Sequence, residues 1–159
     1  MQTFKATWST TLHVVSWSAT ALCLITSVVV ALAPGAGNQS LWGVVLPLAL
    51  IAGCAPFTVR GYTITPDAIL IHRLWWQTRL DRAGLESVTL DPDAFRWALR
   101  TCGNGGLFSF TGYYWSKRLG PFRAYVTNHR LCVVLRIAGK TVVMSPDDPE
   151  AFMRALQPG

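Results

Sequence analysis

GYTITPDAILIHR, Gly61 to Arg73, is the stretch on which the fold of this chain turns. Val59–Thr65 and Ile69–Trp75 are rich in β-branched and aromatic residues, and Pro66-Asp67-Ala68 lies between them. Proline presets a turn dihedral and aspartate can hydrogen-bond its own backbone, so the pattern reads as a β-hairpin. In the second run Ile69, Ile71, Arg73 and Trp75 alternate with Leu70, His72, Leu74 and Trp76. Both faces of that strand are therefore apolar, each with one basic interruption.

Upstream of the hairpin the chemistry is different. Between Lys5 and Arg60 there is no Asp, Glu, Lys or Arg, whereas all eight acids and, Lys5 and Arg60 aside, twelve of the fourteen Lys and Arg follow Arg60. The net charge of +6 thus averages two unlike segments. Residues 12–33 (LHVVSWSATALCLITSVVVALA) and 41–59 (LWGVVLPLALIAGCAPFTV) carry no polar stripe at a helical period. At ~1.5 Å per residue each can cross a hydrocarbon core of ~30 Å. They predict a two-helix transmembrane hairpin over 1–59, with a turn at 34–40 (PGAGNQS). Trp8 and Trp42 stand near opposite predicted interfaces, and Pro47 interrupts the second helix.

Lys5 before the first span and Arg60, Arg73, Arg79 and Arg82 after the second place both termini on the cytoplasmic side of a bacterial inner membrane. A signal peptide cleaved after Ala31-Leu32-Ala33 is the competing reading. Pro34 opposes it, and the second span would in either case return the folded part to the same side. Cys23, Cys54, Cys102 and Cys132 show no CxxC and no zinc spacing, so neither a disulfide framework nor a metal site is expected.

Downstream, Gln77–Asp81, Leu85–Leu90, Phe122–Thr127, Leu131–Ile137 and Thr141–Ser145 bring the count to about seven strands. The last three read as a meander, with turns at 128–130 and 138–140. SPDDPEAFMRAL then closes the chain as a helix: Asp148 caps it, Pro149 fits its first position, and Phe152 and Leu156 share a face. The expected unit over 60–159 is a mainly-β, partly open barrel whose open end is plugged by Phe152 and Leu156.

GYTITPDAILIHR, GNGGLFSFTGYY, YVTN and SPDDPEAF together resemble the bacterial pleckstrin-homology-like (PH-like) domains found behind transmembrane hairpins in small bacterial membrane proteins. The resemblance covers about Phe57 to Leu156. It implies a PH-like seven-stranded barrel with a C-terminal helix and a non-enzymatic role. The chain departs from phosphoinositide-binding PH domains, which place Lys and Arg around the first hairpin. Here that turn is Thr65-Pro66-Asp67-Ala68, and its acid repels phosphate.

Gly103-Asn104-Gly105-Gly106 invites comparison with a phosphate loop, which needs backbone amides at a helix start and commonly a following Lys. The next residues, Leu107-Phe108-Ser109-Phe110, read as strand, so no nucleotide site is expected. His72 and His129 have no sequence-evident partner, Ser109 and Ser116 are ordinary, and Asp147, Asp148 and Glu150 suit a helix N-terminus. No catalytic set, metal or cofactor is predicted. Dispersed positive charge in a tethered domain also argues against nucleic acid.

One candidate contact surface remains. Phe108, Phe110, Tyr113 and Trp115, followed by Lys117 and Arg118, suit the boundary between acyl chains and anionic head groups, or a protein partner. Alternation puts Phe108 and Phe110 on one face and Tyr113 and Trp115 on the other, so a hairpin packed on the barrel by one face can expose the other. The expected function is a non-enzymatic, membrane-anchored module that binds a protein partner or anionic lipid. The alternative is a structural subunit of a larger membrane complex, joined through helix contacts at Ala19, Ser27, Gly43 and Gly53.

Overall fold

The computed structural model describes residues 1–33 and 38–157; of the expected turn at 34–40, residues 34–37 lie outside them and 38–40 begin a helix. In chain order the elements are β1 (Gln2–Lys5), α1 (Thr10–Leu32), α2 (Asn38–Cys54), a 3-10 turn (Ala55–Phe57), β2 (Gly61–Ile64), β3 (Ala68–His72), β4 (Gln77–Asp81), β5 (Leu85–Leu90), β6 (Leu99–Gly105), β7 (Phe110–Ser116), β8 (Gly120–Val126), a second 3-10 turn (His129–Leu131), β9 (Val133–Ile137), β10 (Lys140–Met144) and α3 (Pro149–Leu156). The domain is mainly β. It has two sheets, ordered β1-β2-β3-β4 and β5-β9-β10-β8-β7-β6.

The β2–β3 hairpin forms as its sequence requires, with Thr65 N–H donating to Ala68 O at 2.9 Å across the Pro66-Asp67 turn. The strand count differs: ten strands form among the described residues, not seven. β1 is one addition, pairing antiparallel with β2 through Thr3 opposite Thr63 and Phe4 opposite Tyr62. β6 and β7 are the others. The expected meander is also corrected. β10 pairs antiparallel with β9 but parallel with β8, Val143 lying opposite Ala124, so it inserts between its two predecessors.

Both faces of the central strands of the larger sheet, β8, β9 and β10, are covered, which explains why these are the most continuously apolar of its strands. One face, with Tyr125, Leu135 and Met144, meets Phe4, Tyr62, Ile69 and Ile71 of the smaller sheet around Phe152 and Leu156 of α3. Tyr62 bridges the sheets: its hydroxyl donates to Tyr125 O at 2.5 Å and accepts from Ser145 N–H at 3.2 Å. Burial raises the Tyr62 pKa, which keeps that donor protonated. The opposite face carries Phe122, Ala124, Val126, Val134 and Val143 and is sealed by Ala94 and Phe95. The helix cap is the expected one, Asp148 accepting from Ala151 N–H at 2.9 Å.

α1 has 23 residues and a mean hydropathy of 2.0, long and apolar enough to cross a membrane. α2 is shorter, with 17 residues. The second apolar segment, expected to run to 59, leaves the helix after Cys54, where Pro56 occupies a 3-10 turn. Val59 is fully buried in the core of the β-domain. The helices pack on each other, Gly43 lying against the Val30 side chain and the Ser27 hydroxyl reaching Val44 O at 3.5 Å.

Neither helix reaches the domain through a free linker. β1 is clasped by Asp147, whose Oδ1 accepts from Lys5 N–H at 3.1 Å and whose N–H donates to Lys5 O at 2.9 Å. Thr127 then holds the next residues: its Oγ1 donates to Thr7 O at 2.9 Å and its carbonyl accepts from Ser9 N–H at 3.1 Å. Ser9 caps α1, accepting from Leu12 N–H at 3.2 Å. Leu12 and Ser16 are buried, so the first turns of α1 belong to the domain.

Candidate functional site

The β6–β7 hairpin carries the candidate residues and divides them between two ends of the domain. Its strands do not turn where the glycines first appear. Gly103 and Gly112 face each other within the ladder, with φ of 117° and 138°, and a Cβ on either would strike the backbone of the opposite strand. The turn is Gly106–Ser109, closed by Gly106 N–H donating to Ser109 O at 3.2 Å. Asn104 supports it, its Oδ1 accepting from Leu107 N–H at 3.1 Å and its side-chain amide donating to Leu107 O.

That turn docks on the helices. Phe108 N–H donates to Ser16 Oγ at 2.9 Å, Ser16 Oγ donates to Gly106 O at 3.4 Å, and Ser109 Oγ donates to Phe57 O at 3.0 Å. Phe108, left-handed at φ 66°, sets its ring 6.2 Å from that of Trp8. Phe110 instead joins the layer under Phe95, with its ring 4.0 Å from that of His129. The expectation that Phe108 and Phe110 share a face is therefore corrected: Phe108 lies in the turn, where strand alternation does not apply. The same layer depresses the His129 pKa and pushes that of Tyr114 up to about 12, in both cases chiefly by burial.

Trp115, Lys117 and Arg118 stand at the other end of the hairpin, about 20 Å along the strands at ~3.3 Å per residue. There they line a depression of about 650 Å³ with Arg96, Trp97 and Leu99. Trp97 is 84% exposed and left-handed at φ 58°. Arg118 pairs with Asp91. Arg96, Trp97 and Leu99 escape a sequence reading because they lie in and beside a run of turns, Asp91 to Ala98, and join Trp115 only through the β6–β7 ladder.

Tyr113, on the face that β7 shares with Thr111 and Trp115, lines a separate cavity of about 330 Å³ between the sheet and the end of α2. The Arg123 guanidinium lies 5.4 Å from the Tyr113 ring centre. Arg73, Tyr125, Cys54 and Phe57 contribute other walls. Arg73 lies just past β3, at the turn whose tip exposes Leu74 and Trp75. In the hairpin motif it reads as an ordinary strand residue, so its approach to Arg123 is legible only once the two sheets close.

Two hollows on the β-domain hold candidate residues of β7 and its following turn, one beside the helices and one remote from them. Residues 60–158 match the bacterial PH domain family, and the chain belongs to it. No curated protein and no solved structure matches the chain. The family points to a binding module.

Proposed function

We propose that the chain is a non-enzymatic binding module anchored by two membrane spans, its PH-like domain (60–159 with the N-terminal strand) at the cytoplasmic face of a bacterial inner membrane. The observation that carries this reading is the docking of the β6–β7 turn on α1 through Ser16 and on the 3-10 turn that ends α2 through Phe57. With the first turns of α1 claimed by the domain, the free apolar length is Trp17–Leu32, about 24 Å, against about 21 Å for Leu41–Cys54 of α2. Two paired helices of matched length suit a bilayer that thins slightly around them. Cations concentrated on the domain side support the inside orientation.

The binding face of this reading is the remote hollow. Exposed Trp97, Leu99 and Trp115 beside Lys117 and Arg96 form a patch that suits a protein partner offering apolar and acidic side chains. Of the sequence-predicted contact residues, Trp115, Lys117 and Arg118 fall here. Phe108 and Phe110 hold the hairpin in place.

Two measurements test this. In a background lacking the four native cysteines, a thiol reagent that cannot cross the membrane is expected to label a cysteine at Asn38 in intact cells and to leave one at Lys140 unlabelled. The reverse pattern overturns the orientation. A photocrosslinker at Leu99 is expected to capture a protein in the native membrane; capture of lipid alone overturns the partner assignment.

A further inference from the structure

The geometry points to the cavity between α2 and the larger sheet as a site for the phosphate-bearing head group of an anionic phospholipid. The Arg73 and Arg123 guanidinium carbons lie 5.2 and 5.3 Å from the Tyr125 ring centre, and all three residues line the cavity. Arg73 is held by Phe57 and Thr78: it donates to Thr78 Oγ1 at 3.2 Å and Phe57 O at 3.4 Å and lies 5.6 Å from the ring centres of Phe57 and Trp76. Neither arginine forms an ion pair among the described residues, and no described acid lines the cavity. The Tyr125 hydroxyl is sealed from solvent beside Arg73, so the two guanidiniums are what the hollow offers a ligand.

Two guanidiniums without an acidic partner at one hollow leave an arrangement that an anion completes. Arg73 shows the tension: partial burial lowers its pKa, and Arg123 adds to that, against the pull of Tyr125. Guanidinium forks match phosphate oxygens bidentately, and half-buried Arg73 beside exposed Arg123 offers two such forks at one hollow. The opposite wall selects the source. Gly53, Cys54 and Phe57, at the end of α2, are apolar and continue the helix surface, so an acyl chain lying along α2 places its head group at the arginines. The site is remote from the acidic Pro66-Asp67 turn, being at the other end of the β2–β3 hairpin.

This inference rests on the membrane-anchored reading. The test uses the full chain in neutral detergent micelles, titrated with phosphatidylglycerol, phosphatidylcholine or inorganic phosphate, with bound ligand read by native mass spectrometry. Phosphatidylglycerol is expected to bind about tenfold more tightly than phosphatidylcholine. Arg123→Gln, at an exposed position with no hydrogen bond to lose, is expected to keep the fold and remove most of that preference. Arg73→Gln/Arg123→Gln is expected to abolish it, and Lys140→Gln, at the start of β10, to leave it unchanged. Equal binding of the two lipids, or an equal loss in Lys140→Gln, overturns the site. Inorganic phosphate that binds and displaces phosphatidylglycerol at millimolar concentration overturns the lipid source. Carbonate extraction of the same membranes separates the two layers: a chain that resists extraction but shows no lipid preference refutes this inference alone, and one that is extracted refutes the anchoring.

Discussion

Ser16→Ala should uncouple the aromatic hairpin from the first helix while leaving the domain folded. Ser16 is 1% exposed, and its hydroxyl both accepts from Phe108 N–H at 2.9 Å and donates to Gly106 O at 3.4 Å. Alanine is nearly isosteric and favours the helix, so the change removes the hydroxyl and little else. What remains is a half-buried amide and a buried carbonyl without partners, a loss of about 1–3 kcal/mol. If the turn opens as a unit, that loss multiplies its open population by about 5 to 150.

Hydrogen exchange of the full chain in detergent reads this directly. The peptide spanning 106–109 should exchange faster by that factor, whereas β9 and β10, which share no hydrogen bond with Ser16, should keep their protection. Ser27→Ala is the control, because the Ser27 hydroxyl donates only within the helical pair, to Cys23 O at 2.8 Å and Val44 O at 3.5 Å. Unchanged exchange at Phe108 in Ser16→Ala, or an equal gain in Ser27→Ala, would show that the turn is held by something other than Ser16.

Phe152→Ala removes a fully buried ring that meets Phe4 edge-on at 5.2 Å and Tyr62 at 6.0 Å; a loss of about 3–5 kcal/mol is expected, read as a lower unfolding midpoint. Burial lowers the His129 pKa, so the unfolded chain takes up the proton first. Stability should be full above the ordinary histidine value of about 6.5 and fall as pH drops through it towards the lowered folded value, a slope that His129→Gln should flatten and that an increase on acidification would contradict. Trp97→Gly relieves a left-handed φ of 58° at the expense of little buried surface. It should raise the melting temperature or leave it unchanged, and weaken crosslinking at Leu99. Lys117→Gln with Arg118→Gln should cost about 1 kcal/mol of stability, since the Arg118 side chain is over half exposed and the Asp91 carboxylate, 17% exposed, keeps the Asp93 amide as a partner.

How much of this was legible in the sequence depends on whether the signal was local. The β2–β3 turn and the Asp148 cap lie within four residues of what they stabilise, and both form as read. β1 was invisible because its partner, β2, is some sixty residues away and Phe4 is its one buried side chain. The end of the second apolar segment was misplaced because Val59 is apolar for a different reason: it fills the β-domain core, and composition does not separate lipid-facing from core-facing residues. The candidate contact residues divide between the two ends of the hairpin for a geometric reason. Phe108 to Arg118 are neighbours along the chain, but a strand between them carries the last three about 20 Å from the first.

The glycines of this hairpin acquire a different meaning from the one their spacing suggests. In a phosphate loop, glycine lets the backbone approach an anion; here Gly103 and Gly112 let two strands approach each other. A Cβ on Gly112 would meet Cys102 O, and one on Gly103 would meet Thr111 O. That close ladder carries the turn at 106–109 against Ser16 and Phe57, and so ties the ends of both helices to one strand pair. The opposite end of the same pair presents Trp115 beside Trp97. A ligand there and the helices at the other end therefore act on a single hairpin, whose register the glycine pair fixes. Gly112→Ala, which forces both strain at φ 138° and a backbone clash, should accordingly disturb both ends at once: exchange at 106–109 and crosslinking at Leu99 should change together. Loss of one without the other would show that the two ends of the hairpin are mechanically independent.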